Sequence, residues 1–267
     1  MPASTASRGG ASALAAGSCS GELVALETSR PAFYALRSGG WRDYITLLHP
    51  PYTAWHLSYV AIGAALSAEF SWSRLIPTLV AFFLAVGIGA HALDELNGRP
   101  LRTEIPRGVL IFLAAASIGG AVAIGVVGAV AFDPWIAAFV AGGAFIVVAY
   151  NLESFGGRFH DDAWFALAWG SFPLLTAYFA TAESIGAAAI AGAVFAFALS
   201  LAQRVLSTQV RDMRRRVRRV HGTVERADET TETLTPELIM GPAERALRIL
   251  SVAVVALACA SVMMRSW

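Results

Sequence analysis

Residues able to do acid, base or metal chemistry in an apolar setting gather in three short stretches of this chain. The first is His91-Ala92-Leu93-Asp94-Glu95-Leu96-Asn97-Gly98-Arg99-Pro100-Leu101. Helix positions i, i+3 and i+4 share a face, so His91, Asp94 and Glu95 point together. A carboxylate pair beside an imidazole can hold a divalent cation, and oxygen ligands favour Mg²⁺. The competing use is a plain ion pair from Asp94 or Glu95 to Arg99 or Arg102. The second stretch runs from Gln203 and Arg204 through Thr208, Gln209, Arg211 and Asp212 to Arg214, Arg215 and Arg216. If helical, it sets Gln209 with Asp212 on one face and Arg204, Thr208 and Arg211 on another. Arginine forks suit phosphate oxygens, whereas a positive anchor on anionic headgroups is the simpler use of the run. For Asp212 the simpler use is an internal ion pair.

The third stretch holds Asn151, Glu153, Arg158, His160, Asp161 and Asp162. His160-Asp161-Asp162 reads as an acidic turn that starts a helix and complements its dipole, with metal or substrate ligation as the alternative. His56 lies inside an apolar run, so it either hydrogen-bonds another helix or lines a cavity. His49 and His221 read as interfacial. The chain has no HExxH, no GxSxG elbow and no Walker loop, and Cys19 and Cys259 have neither disulfide nor metal spacing.

The elements that must carry these residues are membrane helices. Of 267 residues, 56% are hydrophobic and 15% charged, against about 45–50% and about 25% in soluble domains. A helix crosses a hydrocarbon core of about 30 Å with about 20 apolar residues. Such runs fall at 52–68, 74–93, 108–131, 134–152, 163–180, 184–206 and 245–264. The expected fold is an all-α polytopic membrane helix bundle of about seven transmembrane helices. All 20 basic residues are Arg. Nearly all lie in the N-terminal tail, the 94–107 and 153–162 loops and the 204–248 segment. The positive-inside rule then sets the N-terminus in the cytoplasm and the C-terminus outside, in a bacterial or archaeal plasma membrane. Residues 1–30 read as a disordered tail, 31–51 as an interfacial segment, and 52–267 as the transmembrane domain with a cytoplasmic loop at 207–244. The arginine tract adjoins a span and lacks interleaved aromatics, so nucleic acid is not an expected partner.

This layout resembles the UbiA-type intramembrane prenyltransferases. That family carries one Asp-rich motif at the cytoplasmic end of its second helix and another at the end of its sixth. The matching elements are His91-Ala92-Leu93-Asp94 leading to Arg99-Pro100-Leu101, and Gln209-Val210-Arg211-Asp212. Leu48-His49-Pro50-Pro51 looks like the segment leading into the family's first helix. Ala168-Trp169-Gly170-Ser171-Phe172-Pro173-Leu174-Leu175 resembles its fifth helix. The resemblance covers about 45–210 in organisation. His91 and Gly98 stand where the first motif would offer acids, Arg216 where the second would, and the family has eight or nine helices.

The resemblance implies a Mg²⁺-dependent enzyme, in which an allylic prenyl diphosphate loses its diphosphate and an aromatic or lipid acceptor takes the prenyl group. Asp94, Glu95 and Asp212 would hold metal. His91 would join Asp94 and Asp212 in catalysis, and Asn97, Arg99, Arg204, Gln209 and Arg211 would bind substrate. The alternative is a non-catalytic protein that binds or carries a prenyl or phospholipid, or scaffolds a membrane partner.

Overall fold

The computed structural model describes residues 30–265; the reading of the first residues as a tail falls outside them, save for residue 30. The elements in chain order are α1 (Trp41–Leu47), α2 (Pro50–Leu66), α3 (Trp72–Leu96), α4 (Arg107–Ala131), α5 (Ile136–Asn151), α6 (Asp162–Ala182) and α7 (Ala187–Arg215). A two-stranded antiparallel hairpin, β1 (Thr223–Glu225) and β2 (Thr231–Thr233), and a last helix, α8 (Pro236–Met263), follow. Each apolar run of the sequence falls mainly on one of these helices, reaching past its ends by no more than three residues. Five of them, α3, α4, α6, α7 and α8, are long and apolar enough to cross a membrane, and α5 is a shorter apolar helix. The chain is an integral membrane protein built mostly of helix, with almost no strand.

Helix α2 lies at the centre, packed most extensively against α6 and α8. Trp55, Tyr59 and Val60 on it are fully buried. Small residues set the approach distances, as expected where helices pack without a hydrophobic drive from water. A Cβ at Gly63 would overlap the carbonyl oxygen of Leu174 on α6, and one at Gly170 would lie 2.6 Å from the Ala196 carbonyl on α7. Polar side chains at depth are satisfied internally, because lipid offers no alternative. Trp55 Nε1 donates to Tyr59 Oη at 2.7 Å, Ser200 Oγ donates to the same oxygen at 3.1 Å, and Ser171 Oγ donates to the Ala193 carbonyl at 2.8 Å.

Two of the crossing helices widen in mid-span into π-helical segments, Phe83–Ala90 in α3 and Leu167–Ser171 in α6. Such segments are uncommon and gather at functional sites. The ends of the bundle are tied by ions. Arg74 pairs with Glu183 at 2.7 Å and donates to the Ala180 and Thr181 carbonyls, closing the C-terminus of α6. Arg214 on α7 meets Glu244 on α8 at 2.6 Å. Before α2, Asp43 is buried; it accepts from the backbone N–H of Gly39 at 2.9 Å and of Glu104 at 2.8 Å. The interfacial segment is thereby fastened to the loop after α3, while Trp41, Tyr44 and Ile45 remain exposed, as suits an element lying at a headgroup surface.

The α2–α6 contact has a direct test. Gly63→Ala should destabilise the protein by about 2 kcal/mol, the scale of overpacking in a close-packed interior. Gly108→Ala, where a Cβ meets nothing within 4 Å, should be neutral in the same thermal unfolding measurement.

Candidate functional site

A cavity of about 480 Å³ opens at the arginine-bearing end of the bundle. Its walls come from the segment before α1, the start of α2, the end of α3, the loop between α5 and α6 with the helix ends beside it, and the second half of α7. Of the residues that the sequence suggested, His91, Asp94, Asn97, Arg204, Arg211 and Asp212 line it. Helical periodicity explains the assembly: His91 and Asp94 sit one turn apart at the end of α3, and Arg204, Arg211 and Arg215 recur along one face of α7.

The other suggested residues serve the walls. Glu95 is fully buried and accepts from Leu101 N–H at 3.0 Å, Thr103 N–H at 2.9 Å and Thr103 Oγ1 at 2.8 Å. Arg99 donates to the Thr103 and Ile105 carbonyls at 2.9 and 2.7 Å. Together they fold the loop after α3, which is why neither faces the cavity. Gln209 points the other way and donates to the Ile239 carbonyl on α8 at 3.2 Å. Asp212 is half-exposed and lies 3.3 Å from Arg216. The Asp94 carboxylate makes no hydrogen bond or ion pair with any described residue. Among the described residues, no three of His, Cys, Asp and Glu are grouped so as to hold a metal ion.

The third stretch divides its labour. Asp161 caps α6, accepting from Trp164 N–H at 2.7 Å, as the acidic-turn reading expects. Asp162 pairs with Arg204 at 2.8 Å, and the Arg204 guanidinium lies over the Phe165 ring. His160 turns into the cavity, with its Nδ1 2.9 Å from the Tyr150 carbonyl.

Several lining residues have no site role from sequence alone: His49, read as interfacial, Gln203 and Arg215 in the second stretch, and Tyr34 and Tyr150. His56 does both things expected of it, lining the cavity and donating from Nδ1 to the Trp169 carbonyl at 2.8 Å. His49 adopts φ 45° although it precedes a proline, a position that normally takes extended backbone. A non-glycine residue in that region carries strain, and such strain gathers at functional sites. His49 is held there by its Nδ1 on the Leu47 carbonyl at 2.9 Å and by a stack on His91, with ring centroids 3.9 Å apart. The spacing of seven between His49 and His56, two helical turns, was the available signal. The Tyr150 hydroxyl and the Gln203 amide oxygen are enclosed without a hydrogen-bond partner among the described residues.

A second, apolar cavity of about 130 Å³ lies deeper, between α3, α4, α5 and α6. Val86 and Trp169, one from each π-helical segment, line both spaces. The polar cavity and the apolar one therefore share a wall.

Compared with protein-family models, curated proteins and solved structures, the chain matches none of them.

Two outcomes follow from these partners. Glu95→Ala strands three buried donors, each costing about 1 kcal/mol or more, so it should lower stability by about 3 kcal/mol. Asp94→Asn orphans no described group and should leave the thermal midpoint nearly unchanged. Burial, then the neighbouring His91, holds the His49 pKa well below its ordinary value. The unfolded chain protonates His49 at about 6.5, whereas the folded chain resists. Its contribution to stability is therefore complete above that pH and is lost as pH falls below it. Thermal midpoints measured from about pH 8 to about pH 5 should decline, and His49→Asn should flatten the decline.

Proposed function

We propose that this protein binds an amphiphile of the prenyl diphosphate class and transfers its prenyl group to an acceptor in the membrane, as a divergent UbiA-like enzyme. The observation that carries this reading is the wall shared by an arginine-lined polar cavity and an apolar one. An anionic head and a hydrocarbon tail are the two halves of one ligand, and Val86 and Trp169 mark where they join. In this reading all seven apolar runs cross the membrane, the arginine-bearing end faces the cytoplasm, and the C-terminus lies outside.

Each residue then has a task set by its chemistry. Arg211, whose described bond is to Thr208 Oγ1 at 2.9 Å, and Arg215 receive phosphate oxygens. Arg204 is held by Asp162 so that its remaining donors face inward. Asn97 and Asp212 stand at the mouth. Aromatic side chains, among them Phe165 and Trp169, exclude water from the reacting carbon and present ring faces that stabilise positive charge.

Mg²⁺ fits this donor set in one form only. The ion commonly takes one or two carboxylates and fills its remaining positions with substrate phosphates and water. Asp94 is the free carboxylate, and Asp212 can join it by leaving Arg216. When bound, the metal would supply charge neutralisation for the departing diphosphate. His91, with its Nδ1 on the Gly87 carbonyl, keeps an Nε2 lone pair available beside Asp94 to accept a proton from the acceptor.

A second reading has its own observation. Glu95 is wholly committed to the loop and Asp212 to Arg216, which leaves few carboxylates for metal and favours a non-catalytic lipid-binding protein.

One measurement separates the two. A prenyl diphosphate at about 100 times its dissociation constant should stabilise the purified protein by about 2.7 kcal/mol. Transfer chemistry requires that this depend on Mg²⁺, weaken in Asp94→Asn and Arg211→Gln, and accompany product formation with an acceptor. Stabilisation indifferent to Mg²⁺ and to Asp94→Asn, without product, would establish the binding protein. No stabilisation by any donor length would sink both.

A further inference from the structure

We propose that the polar cavity selects a polyol phosphate, a head group bearing several hydroxyls beside its phosphate, over an aromatic one. This assignment rests on the reading of the cavity as a site for an anionic amphiphile and names the chemistry that its other wall would recognise.

One wall, on α7, carries the donors Arg204, Arg211 and Arg215. Elsewhere the cavity is lined by four of the five histidines in the chain, His49, His56, His91 and His160. In each, Nδ1 lies on a backbone carbonyl, at 2.9 Å (Leu47), 2.8 Å (Trp169), 3.1 Å (Gly87) and 2.9 Å (Tyr150). A carbonyl can only accept, so Nδ1 carries the proton. In a neutral imidazole the other nitrogen is then an acceptor, and no described residue donates to any of the four Nε2 atoms. The Gln203 side chain is 2% exposed, and its amide oxygen is enclosed with no described donor.

This side of the cavity therefore presents lone pairs with no described donor, beside hydroxyls such as that of Tyr150, which can donate as well as accept; a ligand hydroxyl can meet both. The enclosed Gln203 oxygen is a buried acceptor left unmet, which costs free energy, and the four Nε2 atoms face the cavity ready to accept. A bare phosphate or a hydrocarbon ring brings no hydrogen to donate, whereas each hydroxyl of a polyol brings one. A single metal ion is the other species that could gather lone pairs. Among the described residues, though, no three of His, Cys, Asp and Glu are grouped around one point. Dispersed acceptors match the separate hydroxyls of one extended ligand better than one cation. A space of about 480 Å³ lies within the usual range for small-molecule sites, about 300–1,000 Å³, and admits a hexose phosphate.

The test is equilibrium binding to the full-length protein in lipid nanodiscs. Glucose 1-phosphate, methyl phosphate and phenyl phosphate share a phosphate monoester, and geranyl diphosphate reports the amphiphile site. Two or more new hydrogen bonds should make glucose 1-phosphate bind about tenfold or more tightly than either other monoester. His160→Phe and Gln203→Leu, which remove one acceptor each, should shrink that ratio and leave methyl phosphate affinity unchanged. Equal affinities, a preference for phenyl phosphate, or a ratio unaltered in both variants would overturn the assignment. Where geranyl diphosphate still binds, that result removes the polyol assignment alone. Loss of all binding, diphosphate included, removes the amphiphile reading with it.

Discussion

The hydrogen bond from His56 on α2 to the Trp169 carbonyl on α6 ties the architecture to the cavity. An imidazole buried between helices must find a partner, because an unmet polar group there costs free energy. A carbonyl of a regular α-helix is already engaged by the N–H four residues on. The π-helical widening at Leu167–Ser171 changes that spacing at the residue that receives His56. The bond also spans a helix pair in close backbone contact, where Gly63 lies against Leu174. Close packing fixes the distance between the two helices, and the histidine fixes their register.

The same device recurs on α3. The second π-helical segment, Phe83–Ala90, contains Gly87, whose carbonyl accepts from His91. Each segment thus orients a histidine toward the polar cavity and contributes one side chain, Val86 or Trp169, to the apolar one. Interrupting a helix in lipid is costly unless the freed backbone groups are taken up by neighbours. Here the histidines take them up, so the interruptions that shape the site also set which nitrogen of each ring is available to a ligand.

Charge is distributed by the same logic. Arg74, Arg99 and Arg214 are bound to helix ends, a loop and a neighbouring helix, and Glu95 and Asp43 satisfy backbone N–H groups. These pairings hold the ends of the bundle together, and breaking one would leave a buried partner uncompensated. Asp94 and the Nε2 atoms of the histidines are excluded from that scaffold. Groups able to do chemistry remain where the fold has no structural use for them.

The helices themselves were legible in the sequence, because apolar run length is a one-dimensional property that lipid enforces directly. So was the face that carries His91 with Asp94, since helical periodicity is local, and so was the acidic cap at Asp161. The division between neighbours Asp94 and Glu95 was not. Both share the helix end, and only the path of residues 97–105 directs three donors onto Glu95 and leaves Asp94 facing the cavity. The roles of His49, Gln203 and Arg215 were not legible either, because these residues meet across helices distant in the chain. Hydropathy and periodicity determined which segments form long apolar helices and which of their faces are polar. Tertiary packing decided which polar groups are consumed in holding the structure together and which remain for a ligand, since that depends on partners brought from elsewhere in the chain.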